Sequence, residues 1–265
     1  MTWRAFIHEN LFLALGVAAG LALLVSGVSL AGWVLLMVAV YAVVIGFTLP
    51  GDKTRLIAAY AVAWAFYAGS SVLVEALQVP LRHQELLAAD AALFDLTPFT
   101  GTLPAGVNDL LSAGYLSYHV YLHWAVIDAL FRDGEWRLEM GRRLFTAFAL
   151  GFLGYLTFPA APPAQAFSEL YTQPLAGGVI TSWNATLNAS LAARYDAFPS
   201  LHALITLMLL SWDWRHFRAR FQIMIVPSLL MLAATLALRL HYVVDLIASC
   251  ILFAALHAFF ERKRS

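Results

Sequence analysis

The sequence predicts an all-α fold, a polytopic membrane helical bundle with about eight transmembrane helices. Three observations predict it. Hydrophobic residues fill 62% of the 265 positions and charged residues 12%, about half the ~25% charge of an ordinary soluble domain. With a mean hydropathy of +0.76, the chain has too few charges to cover a water-exposed surface. Eight apolar stretches reach or approach the roughly 20 residues that a bilayer crossing needs: 11–27, 30–49, 56–77, 110–131, 144–158, 198–212, 221–238 and 242–260. Finally, the basic residues fall on alternate connections, as an even number of crossings requires.

Taken in order, the first two stretches are parted only by Val28 and Ser29, so they read as a membrane hairpin rather than a leader peptide. We set this hairpin at residues 1–55 and the remaining membrane core at 56–265. Arg4 precedes the first stretch, and Lys53 and Arg55 follow the second. Arg132, Arg137, Arg142 and Arg143 separate the fourth from the fifth. Arg215, Arg218 and Arg220 separate the sixth from the seventh, and Arg262, Lys263 and Arg264 follow the eighth. The positive-inside rule then predicts an integral, multi-pass protein with both termini cytoplasmic. Of the basic-poor connections, 78–109 carries Leu86, Leu87, Leu93, Phe94 and Phe99 among polar residues and reads as an interfacial amphipathic helix followed by a turn. Residues 159–197 open with Pro159, Pro162 and Pro163, which should end the fifth helix in an extended exit. Both segments would lie over the outer helix ends, as a platform or as plain connectors.

Composition also excludes partners and chemistries. A formal net charge of zero gives no basic field for nucleic acid. One cysteine, Cys250, forms no disulfide framework. Neither zinc-ligand spacing nor a glycine-rich phosphate loop occurs.

Polar groups inside apolar stretches are costly and mark cavities or functional sites. Phe198-Pro199-Ser200-Leu201-His202 opens the sixth stretch, where proline is tolerated and unpaired N–H groups favour an anion. Arg239-Leu240-His241-Tyr242-Val243-Val244-Asp245 opens the eighth; a four-residue spacing puts His241 beside Asp245, which would fix the tautomer of the ring. Both motifs fall on the extracytoplasmic side. Tyr115, His119 and His123 form a third stripe, read first as interhelical packing and second as a wall of the site. Asn184-Ala-Thr and Asn188-Ala-Ser are glycosylation sequons on the predicted outer connection, meaningful only in a secretory eukaryotic membrane.

Pro199-Ser200-Leu201-His202 followed by His241-x-x-x-Asp245 resembles the type-2 phosphatidic acid phosphatase superfamily, and looks closest to its inositol phosphorylceramide synthase-like branch. Tyr115-Leu116-Ser117-Tyr118-His119 and the run from Tyr155 through Pro159 to Pro163 are similar to that branch's upstream motifs. The resemblance covers roughly residues 86–260 and implies a six-helix lipid phosphatase core. It implies a phospholipid or lipid phosphate substrate among membrane lipids, no metal and no cofactor. It also implies His241 as nucleophile forming a phosphohistidine, Asp245 as its orienting carboxylate, and His202 as general acid and then base. Ser200, Arg239, Arg194, His119 and Tyr242 are the candidate substrate-binding residues. Thr235 and Ala164 stand where the superfamily and its bacterial members place arginines, so Arg239 and Arg194 are the nearest outer cations. The competing function is a lipid or proton-coupled transporter or scramblase that uses the intramembrane histidines and aspartate.

Overall fold

The computed structural model describes residues 7–94, 102–171 and 173–262; Arg4, Phe99, Lys263 and Arg264 lie outside them. Among the described residues the chain folds into eleven α-helices and no strand, so the all-α expectation holds. The hairpin is α1 (Ile7–Val25) and α2 (Ala31–Phe47), turned through Gly27 at φ +68°, a conformation open to glycine at little cost. Asp52 caps α3 (Lys53–Ala76) by accepting the Thr54 N–H at 2.7 Å. A helix stands where one was expected after it, α4 (His83–Leu93), which buries Leu86.

Two boundaries differ from the hydropathy reading. After α5 (Ala105–Leu130), α6 (Gly134–Thr157) starts ten residues before its apolar run, capped by Asp133 on the Trp136 N–H at 2.8 Å. Its first turns carry Glu135, Arg137, Arg142 and Arg143, which hydropathy counts against a span but which suit a helix end in water. The prolines end α6 at Thr157 and residues 158–162 leave it without helix, as expected, but the rest of the connection is not plain loop. It holds α7 (Pro163–Ala166), a 3₁₀ turn at Ser168–Leu170 and α8 (Val179–Leu191). Val179, Trp183, Leu187 and Leu191 recur every four residues along α8, a stripe too interrupted by polar residues to register as an apolar run. The chain ends its bundle with α9 (Leu201–His216), α10 (Arg218–Ala237) and α11 (Val243–Glu261).

By length and composition α3, α10 and α11 are long and apolar enough to cross a membrane, and α1 and α2 are shorter apolar helices. The molecule is a helical membrane bundle. Its hairpin is packed onto the rest: Phe12 of α1 stacks on Phe66 of α3 at 6.1 Å and meets Phe145 and Phe152 of α6. Buried Glu9 also pairs with Arg55 at 3.1 Å.

The two ends of the bundle differ in chemistry. At one end Arg143 bridges Glu139 and Glu261, Arg215 pairs with Glu261, and buried Arg220 holds Asp213 and Asp128. At the other end lie the starts of α9 and α11, which carry the histidine motifs.

Candidate active site

Helix termini set the site. Ser200 caps α9, its hydroxyl accepting the Ala203 N–H at 3.3 Å, while its carbonyl accepts the Ser249 hydroxyl of α11 at 2.9 Å. Gly154 of α6 permits this approach, since a Cβ there would fall 2.2 Å from Pro199. These bonds fix α9 against α6 and α11 and so fix His202 on the first turn.

His241 is placed by the end of α10. The Leu240 and His241 N–H groups both reach the Thr235 carbonyl at 2.9 Å, and Arg239 takes a left-handed φ of +63°. This is a Schellman-type ending, a position where glycine is usual. Thr235 thus holds the turn through its carbonyl, although its side chain is not the arginine of the superfamily. His241 therefore precedes α11 rather than riding on it.

Asp245 sits on the first turn of α11, fully buried. Its Oδ2 accepts the Tyr242 N–H at 2.8 Å and faces His241 Nδ1 at 3.3 Å. His241 Nδ1 also lies 2.9 Å from the Ala197 carbonyl oxygen. A carbonyl oxygen can only accept, so Nδ1 carries the hydrogen, and the lone pair of a neutral ring falls on Nε2. The His202 and His241 rings stand 5.8 Å apart at 64°. His202 is flanked by Tyr115 at 4.7 Å and Tyr118 at 4.5 Å, with His119 at 6.2 Å.

The other candidates separate. His119 lines a cleft of about 690 Å³ with Trp64, Tyr115, Trp183, Leu187 and His202, between α3, α5 and α8. Tyr242 donates its hydroxyl to the Ala161 carbonyl at 3.1 Å. Arg239 donates to the Gln173 carbonyl at 2.9 Å and lies over the Tyr171 ring; burial pushes its guanidinium pKa down, with Tyr171 opposing. Arg194 is exposed and pairs with Glu75 at 2.9 Å.

Three features have no signal in the sequence. Asp90 of α4 accepts the Val243 and Val244 N–H groups at 2.8 and 2.9 Å, so a carboxylate already occupies the start of α11. Burial pushes its pKa up, against those two bonds. Buried Asp196 accepts the Tyr67 hydroxyl at 2.9 Å. Asn184 is 4% exposed and accepts from Asn188, which in turn accepts the Tyr115 hydroxyl. A buried amide facing a cleft cannot carry a glycan, so the sequon reading of Asn184 is corrected.

A model of the PAP2 superfamily matches residues 84–259, well over half of the chain. The chain belongs to the PAP2 superfamily. The match agrees with the 86–260 extent of the resemblance and takes in all three residues of the His202, His241 and Asp245 constellation. PAP2 membership makes the chain a phosphatase-type membrane enzyme of lipid phosphates. It leaves α1 to α3 outside the matched segment, although Tyr67 and Trp64 of α3 reach the site. No curated protein and no solved structure matches the chain.

Proposed function

We propose that this PAP2 protein transfers a phosphoryl or phospho-headgroup from a membrane lipid through a phosphohistidine on His241. The observation that carries this reading is the opposed ring pair, 5.8 Å apart, with His241 Nδ1 committed to Ala197 and Asp245. His241 Nε2 attacks phosphorus, forming the P–N bond while the P–O bond to the leaving group breaks. The electron pair stays on the leaving oxygen, and protonated His202 supplies its proton. His202, now neutral, takes a proton from the acceptor hydroxyl; that oxygen attacks phosphorus, the P–N bond breaks, and His241 is restored.

The cleft beside His202 supports a lipid substrate, being mostly apolar and open between helices that face the bilayer. Its size fits the roughly 300–1,000 Å³ of ligand sites. His119 would line the path of the lipid, and Ser200 and Tyr242 would shape the phosphate pocket through the helix starts they cap. Arg239 would be the nearest guanidinium for phosphate, with Arg194 further out. The basic residues gathered at the opposite end of the bundle support eight crossings, cytoplasmic termini and an extracytoplasmic site.

Two acceptors share this chemistry. Water gives a lipid phosphatase; an alcohol such as a ceramide gives a transferase, which the branch-like Phe-Pro-Ser-Leu-His and His-Tyr-x-x-Asp motifs favour. Purified protein incubated with labelled phospholipid, with and without ceramide, separates them. Released inorganic phosphate indicates the phosphatase and a new phospholipid the transferase. Neither product, with lipid movement across vesicles instead, would overturn the enzyme reading in favour of a scramblase.

A further inference from the structure

Asp196 is a buried carboxylate that the phosphoryl-transfer scheme above does not use. It lies six residues before His202, in the segment between α8 and α9. Backbone pairing fixes it: Asp196 bridges to Ala160, and the Ala197 N–H donates to the Ala160 carbonyl at 3.1 Å. The next carbonyl along, that of Ala197, is the one that receives His241 Nδ1 at 2.9 Å. Asp196 is therefore attached to the same short segment that orients the His241 ring. Its Oδ2 accepts the Tyr67 hydroxyl at 2.9 Å, and the Tyr67 oxygen in turn accepts the Ala193 N–H at 3.2 Å.

Tyr67 of α3 bonds this carboxylate, and Tyr115 of α5, Tyr155 of α6 and the His241 ring lie within its electrostatic reach. Burial pushes the Asp196 carboxyl up, while the His241 ring and the Tyr67 hydroxyl pull it down. Its ionised form is thus best supported when positive charge is present on His241. Phosphorylation puts it there, because a ring that keeps its Nδ1 hydrogen and gains a phosphoryl group on Nε2 becomes cationic.

We propose that Asp196, held by Tyr67, is a positioning residue that stabilises the cationic ring of phosphorylated His241. Asp245 meets the ring through α11, and Asp196 acts on it from the segment that leads into α9. The inference rests on the reading of His241 as nucleophile. No bond to Asp196 forms or breaks; its charge acts in the step that forms the P–N bond. A carboxylate near an anionic substrate does not aid substrate binding, so its contribution falls on kcat and not on KM.

The test uses the full chain in detergent micelles with phosphatidic acid as probe, measuring kcat, KM and rapid-quench phosphoenzyme formation. Asp196→Asn is expected to lower kcat about tenfold, the effect of one pKa unit of charge interaction, with KM unchanged or lower and phosphoenzyme formation slowed alike. Folded Asp196→Asn protein with unchanged kcat, or a loss confined to KM, overturns the proposal. Should that variant fail to fold, Tyr67→Phe keeps the carboxylate and removes its donor. A fall of about threefold in kcat at constant KM, the scale of one modest hydrogen bond, supports the role, and an unchanged kcat overturns it. His241→Ala is run alongside. If it is inactive while Asp196→Asn is normal, only this inference fails; if it is fully active, the nucleophile reading fails and takes the inference with it.

Discussion

Two buried carboxylates, one at each end of the bundle, are built to opposite standards. At the basic end Asp213 meets Arg220 with both oxygens, at 2.6 and 2.8 Å, and also accepts the Tyr121 hydroxyl at 2.8 Å. At the histidine end Asp245 directs Oδ2 to both of its donors, and its Oδ1 is buried without a hydrogen-bond partner among the described residues. The first carboxylate saturates its oxygens, as a structural ion pair must in low dielectric. The second engages its protein donors through one oxygen alone, beside a ring whose charge changes during the proposed reaction. The difference separates a structural ion pair from the carboxylate of the candidate site.

His241→Ala breaks the His241–Asp245 pair completely. Turnover of phosphatidic acid is expected to fall by at least about 10³-fold, the scale seen when a covalent nucleophile is lost, with the melting temperature little changed. Breaking the structural ion pair should do the reverse. Arg220→Met leaves Asp213 charged and buried, which costs about 3–5 kcal/mol; a lower melting temperature with normal turnover per folded molecule is the expected result. A catalytic loss without a stability loss in Arg220→Met would erase the contrast.

Asp245→Asn sharpens it. Replacing an orienting aspartate can cost ~10⁴-fold when the ring is left in the wrong tautomer. Here the Ala197 carbonyl also takes Nδ1 at 2.9 Å, so the tautomer survives in part. The expected loss is smaller, about 10²-fold in kcat, measured at saturating substrate.

How much of this is legible in the sequence depends on range. The length of the apolar stretches gives most of the long helices, and the nearness of His241 to Asp245 in the chain gives their pairing, because both are local, although His241 precedes α11 and does not share a helical face with Asp245. The polar first turns of α6 and the interrupted stripe of α8 escape hydropathy, which averages over neighbours. Asp196 with Tyr67 and Asp90 with Val243 escape for another reason. Each pair is more than a hundred residues apart in the chain, and no spacing brings them together. The two helix starts that carry the motifs do converge, and at α11 the Asp90 carboxylate occupies the Val243 and Val244 N–H groups.

The smallest expected effect concerns the two outer arginines, and it needs a substitution that separates charge from backbone. Arg194 is exposed and paired with Glu75, so Arg194→Gln should leave KM within about twofold, as for most exposed ion pairs. Arg239 occupies a left-handed φ of +63°, where a non-glycine residue costs roughly 1–2 kcal/mol. Arg239→Gly therefore relieves the backbone while removing the guanidinium, whereas Arg239→Gln removes the guanidinium and keeps the strain. If the guanidinium serves phosphate, both variants raise KM by about the same factor, of order tenfold for a charged hydrogen bond, and the glycine variant melts no lower than the glutamine one. If it serves only its neighbours in the protein, the Gln173 carbonyl and the Tyr171 ring among them, both variants keep the native KM and differ in melting temperature alone, and the phosphate role of Arg239 is lost.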